Sequence, residues 1–209
     1  MLRCVALVLL ALPLPSPLAA QVELLSTSGT THSFKQLAQE VSQRTSVSLA
    51  PRLRIVKDFR HHAWVWMDAA QLTAVHKISQ WLKKGGMLIV NGDPPTPITA
   101  KTFPATLGKW QHVPLDSALM RSFYLLNSLP TCQNKSWQVY MFHERLTIVA
   151  MPYPLLAFLR DQPSSKHPCF TTQDRETHVR VFINLLMVAL ATDYKKDQVH
   201  LPEILKRLR

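Results

Sequence analysis

Nine histidines invite a metal reading, but their spacing does not assemble a ligand set. His61 and His62 are neighbours, so on an extended chain they point to opposite sides. No H-x-x-x-H or H-E-x-x-H pattern occurs, and no cysteine pair has zinc spacing. No metal or other cofactor is expected. Nucleophilic chemistry is equally unsupported. The G-x-S-x-G elbow is absent, and the apolar run Met87–Val90 leads into Asn91-Gly92-Asp93-Pro94-Pro95, a turn without Ser, Cys or Thr. Phosphate-cradling G-x-G-x-x-G and P-loop patterns are missing, and the chain holds only 5 glycines. No catalytic residue is assigned. The ligand-binding candidates are Asn91 and Asp93, at the tip of an expected strand, with Trp110 and Tyr124 flanking a long loop. Asp68 reads as a helix cap, and Trp64, Trp66 and Trp81 as packing residues.

The elements that must position these side chains begin after a leader. Arg3, the apolar run Cys4–Leu12, the prolines 13, 15 and 17, and Leu18-Ala19-Ala20 have the order of a secretory signal peptide over residues 1–20. Only Arg3 among the charged residues falls in it, so the balance stays strongly basic; the whole chain of 209 residues carries +11. The composition, 47% apolar and 18% charged, suits a packed domain and excludes a disordered chain. An exported basic chain is not expected to bind nucleic acid; an envelope protein or an anionic envelope surface is the expected partner. Export, to the periplasm or beyond the cell, also changes the use of cysteine. Cys132 and Cys169 both sit in polar, proline-containing segments and can form a disulfide; two separate thiols are the alternative. No apolar run reaches the roughly 20 residues of a transmembrane helix.

Residues 21–31 read as loose and polar. Ser33 to Gln36 has capping-box spacing, and Phe34, Leu37, Ala38 and Val41 predict a helix over 33–44. Residues 21–44 are thus expected to be an arm carrying a short helix, and 45–209 a single α/β domain. Strands are expected at 53–56, 64–67 and 87–90. Leu72, Val75, Ile78 and Leu82 predict a helix over 68–84, stopped by Gly85-Gly86. Strand, helix, Gly-Gly and strand make a βαβ unit. Residues 93–116 read as an irregular Pro-rich loop. Strands are expected at 137–142 and 146–150, a short helix at 154–160, an apolar helix at 179–191 and a basic helix at 203–208. Between the last two, Tyr194, Lys195 and His200 form, with Lys206 and Arg207, a candidate recognition surface; the plainer reading is a lock for the terminal helix.

The run from Ile78 to Val90 (ISQWLKKGGMLIV) resembles the core of the bacterial domain of unknown function 4159 family. Phe103-Pro104 with Leu107, the segment Pro114 to Tyr124, and the tail Asp193 to Pro202 follow in the family's order, so the resemblance spans about 45–208. It implies a three-layer α/β fold with a mainly parallel sheet flanked by helices, flavodoxin-like or class I glutamine amidotransferase-like. Asn91-Gly92-Asp93 followed by prolines departs from the family's Asp-containing turn. The amidotransferase nucleophile is absent, so that activity is not carried over. The expected function is therefore a non-catalytic binding or assembly module of the cell envelope. The alternative is a hydrolase acting on a carbohydrate or cell-wall ligand at the strand tips.

Overall fold

A computed structural model of the chain describes residues 21–27, 32–69, 75–92, 109–142, 145–161, 169 and 175–207. The leader and Asp93 lie outside them. The elements run β1 (Gln21–Ser26), α1 (Lys35–Arg44), β2 (Ser48–Ile55), β3 (Trp64–Asp68), α2 (Val75–Lys83), β4 (Met87–Asn91), β5 (Lys109–His112), α3 (Ala118–Arg121), β6 (Gln138–Phe142), β7 (Arg145–Ala150), α4 (Leu155–Leu159) and α5 (Arg175–Arg207). Seven strands form one sheet in the order β2-β1-β3-β4-β7-β6-β5. The first five are parallel, and the β7-β6-β5 edge is antiparallel. This is a mostly parallel mixed sheet with helices, an α/β fold.

The central strands are continuous apolar runs because both faces are covered. Trp64, Trp66, Met87 and Ile89 enter the cluster that includes residues of α1, α3, α4 and α5. Their neighbours Val65, Met67, Leu88 and Val90 face the opposite cluster, with Ile78, Trp81 and Leu82 of α2. The register Trp64↔Met87 through Asp68↔Asn91 brings two polar side chains level at the strand tips. In α5, Val179, Val181, Phe182, Ile183, Leu185, Leu186, Val188 and Ala189 are all buried.

The Gly85-Gly86 pair ends α2 through two separate constraints. Gly85 has φ 105°, which glycine adopts without a Cβ penalty. Gly86 lies against the Trp81 ring, whose Nε1 donates to the His62 carbonyl at 2.8 Å. Arg145, at the start of β7, then donates to the carbonyls of Leu82, Gly85 and Gly86. A cation on the last carbonyls of a helix suits the helix dipole. Burial pulls the guanidinium pKa down, and arginine stays charged regardless.

Five expectations require correction. Residues 21–26 are not loose: they form β1 inside the sheet, so the expected arm at 21–44 contributes a strand to the body. Only Ser26 pairs with β3, at Trp66, so the lower half of β1 has no β3 neighbour and tolerates the exposed Glu23 that pairs with Arg54 at 2.7 Å. The expected 93–116 loop contains β5, a four-residue edge strand bonded only to β6. Asp68 closes β3 rather than capping α2. No side chain of the Ser33–Gln36 box caps α1. Finally, α5 is a single helix of 33 residues, where two helices and a linker were expected. Proline's fixed φ is already helical, so Pro202 costs chiefly the bond its missing N–H would give the Gln198 carbonyl.

Cys132 and Cys169 are joined, with Cα atoms 5.3 Å apart and 37 residues between them in sequence. Cys132 opens a tight turn closed by Lys135 N–H to the Cys132 carbonyl at 2.8 Å, with Gln133 and Asn134 both at positive φ. Closing a loop of this length removes denatured-state entropy, so reduction is expected to lower stability by about 3–4 kcal/mol. Urea midpoints measured with and without a thiol reductant check this; equal midpoints contradict it.

Candidate functional site

In open α/β sheets the crevice outside the strand C-termini, at the point where strand order reverses, is where ligands bind. Here the chain passes from β1 outward to β2, then to β3 on the other side of β1, so the reversal lies between the tips of β1 and β3. The backbone there is paired: Thr27 N–H donates to the Trp66 carbonyl at 3.0 Å and Val56 N–H to the Ser26 carbonyl at 2.7 Å.

Asn91, a candidate ligand residue, ends β4 half-buried. Its Nδ2 donates to Asp68 Oδ1 at 3.2 Å, and its Oδ1 accepts the N–H of Leu156 in α4 at 3.3 Å. The amide therefore ties the tips of β3 and β4 to a helix. Gly92 follows at φ 103°, and a Cβ built there would meet nothing within 4 Å.

The start of α1, which follows the β1 tip, is also occupied from within the chain. The Asp161 carboxylate accepts Lys35 N–H at 3.1 Å and Gln36 N–H at 2.9 Å. Asp161 N–H donates in turn to the Ser33 carbonyl at 3.0 Å. A carboxylate fills the place that an anion would take at a helix N-terminus. The Ser33 hydroxyl first, then the Gln36 and Lys35 amides, hold the Asp161 carboxyl below its usual range. Beside it, burial and then the Arg160 charge lower the His32 pKa, which favours the neutral ring.

Tyr124 lies apart from this crevice, beyond α3. Its ring sits under Arg180, 5.4 Å from the centroid, and edge-on to Phe123. Glu176 accepts both terminal nitrogens of Arg44, at 2.9 and 2.8 Å, and Nε of Arg180 at 2.8 Å. The Arg44 bonds come first among the causes that hold the Glu176 pKa down to about 2. Trp110 stands opposite Tyr140 in the β5–β6 register. Tyr194, Lys195, His200, Lys206 and Arg207 fall on the second half of α5. The sequence candidates are thus spread over the crevice, the α3–α5 face and the terminal helix.

Sequence reasoning missed Asn184, Asp161, Glu176 and Arg145. Asn184 had a legible signal, a lone amide inside the apolar run from Val179 to Ala189. The others act on partners 60 or more residues away, and no local pattern records such pairings. Among the described residues, no group of three or more His, Cys, Asp and Glu side chains could hold a metal ion, and no helix is long and apolar enough to cross a membrane.

The depressed carboxylates give an acid-stability prediction. A carboxyl with a lowered folded-state pKa contributes stability above its ordinary value and loses it as pH falls through the folded one. For Glu176 that window runs from about 4.5 down to about 2. The side chain is half-exposed, so the loss should be about 1 kcal/mol. Melting temperatures across this range are expected to fall less steeply for Glu176→Gln than for the native chain; parallel curves contradict the assignment.

The chain matches no protein-family model, and no curated protein is detectably similar to it.

Proposed function

We propose that this chain is a non-catalytic binding or assembly module of the bacterial cell envelope. The observation that carries the reading is the state of the strand-tip crevice. Asn91 spends both ends of its amide on Asp68 and Leu156, and Asp161 fills the start of α1. These polar groups tie the structure together rather than standing poised for a substrate. Export is supported by the signal-like leader and by the Cys132–Cys169 bridge, which suits an oxidising compartment. The charge of +11 supports an anionic partner.

The finer fold reading belongs to the same proposal. The parallel order β2-β1-β3-β4-β7 supports a flavodoxin-like or class I amidotransferase-like domain. Membership of the domain of unknown function 4159 family is supported by the Ile78–Val90 run, whose Trp81, Gly85 and Gly86 build one packed corner.

Asn91→Ala and Asp161→Ala test the reading. Each is expected to lower the melting temperature, by about 1 kcal/mol of stability for the lost helix cap at Asp161. Retention of the protein on purified envelope fragments should not change. Loss of retention at an unchanged melting temperature would instead move the function into the crevice.

A further inference from the structure

Four large apolar side chains are exposed among the described residues, and three of them, Leu115, Phe123 and Leu125, come from one stretch around α3. Leu125 is 82% exposed and Leu115 64%. Single exposed apolar residues are ordinary, but a cluster marks a contact surface. Leu119 and Met120, from the same stretch, are buried at its base.

The stretch is held firmly, and its backbone is largely satisfied from within. Asn184 Nδ2 donates to the carbonyls of Leu119 and Tyr124, and its Oδ1 accepts the N–H groups of Phe123 and Tyr124. Leu126 N–H donates to the Met120 carbonyl, and Arg121 Nε to the Leu115 carbonyl. A turn whose polar groups are already paired can enter a medium poor in water without stranding them. The charges beside it are Arg121, the Arg44–Glu176–Arg180 group, in which two cations share one carboxylate, and the exposed Asp116. Their balance is positive, as is that of the chain.

We infer that Leu115, Phe123 and Leu125 form a membrane-surface anchor that seats on anionic lipid headgroups, with the apolar side chains entering the interface and the arginines facing the phosphates. This rests on the envelope-binding reading and names the partner surface for it. Paired backbone groups together with a cationic rim favour a lipid surface over a protein groove.

The test is co-sedimentation of the chain with vesicles of phosphatidylcholine alone, or of equal parts phosphatidylcholine and phosphatidylglycerol. Binding is expected to the mixed vesicles only, and to weaken as salt is raised. The double variant Phe123→Ser/Leu125→Ser should lose at least about tenfold in partitioning, the cost of leaving one large apolar side chain in water. Its melting temperature should match the native one, because both side chains are already exposed. Arg121→Glu should weaken binding at low salt only. Failure to sediment with mixed vesicles, or equal partitioning by the double variant, overturns the inference. Retention on delipidated envelope fragments, measured in parallel, separates the two readings: retention there without vesicle binding overturns the lipid anchor and leaves the binding module standing.

Discussion

Asn184→Ala is expected to lower the stability of the fold by about 3–4 kcal/mol, the sum of several buried hydrogen bonds lost with their partners left unpaired. Asn184 is fully buried between Ile183 and Leu185. Its four bonds, at 2.7 to 3.2 Å, exhaust the donors of its amide and engage both lone-pair sides of its oxygen. Alanine leaves two carbonyls and two amides of the 119–124 stretch without those partners at the base of α3. Asn184→Leu restores bulk but no hydrogen bonds, and should be nearly as damaging. Ser122→Ala is the internal control. It removes one bond to the Asn184 carbonyl, at 2.9 Å from an exposed residue, and should cost no more than about 1 kcal/mol. Urea unfolding of the three variants checks the ranking; an Asn184→Ala cost no larger than that of Ser122→Ala contradicts the network.

Gly86→Ala should be comparably costly, by about 3 kcal/mol. A Cβ at this position would lie 2.2 Å from Trp81 Cε2 and 2.4 Å from Cδ2. The indole cannot easily retreat: its N–H is bonded to the His62 carbonyl, and Phe59 packs edge-on at 5.2 Å. The clash is specific to the ring, so the cost should shrink when the ring is absent. In a double-mutant cycle, Gly86→Ala is expected to be far milder in a Trp81→Leu background than in the native chain. Additive costs would show that Gly86 is required for some other reason.

Those two residues also mark what was legible beforehand. The Gly-Gly stop, the strands on either side of α2 and the apolar core of α5 follow from local patterns, because each element's burial is written in its own periodicity. The role of Gly86 was only half visible. A glycine after a helix suggests a left-handed stop, which Gly85 supplies, while the demand on Gly86 comes from a ring that tertiary packing turns toward it. β1 was misread because its lower half lies beyond β3 and carries polar residues, and β5 because a four-residue edge strand has little pattern to show. Asn91 was correctly placed at a strand tip, yet its amide is bonded to a neighbouring strand and a helix. Asp161 was not singled out at all, because it caps a helix more than a hundred residues earlier. Local spacing reports where a side chain stands in its own element and is silent on partners brought in by topology.

The proposed binding module makes its sharpest commitment when the chain is mixed with purified cell-wall and membrane fragments, and bound protein and released soluble products are measured together. The account predicts sedimentation with the fragments that weakens steadily with salt, with no sugar or peptide released above the level of a heat-denatured control. Release of wall fragments by the native chain, abolished by Asn91→Ala, would contradict it and establish a hydrolase at the strand tips.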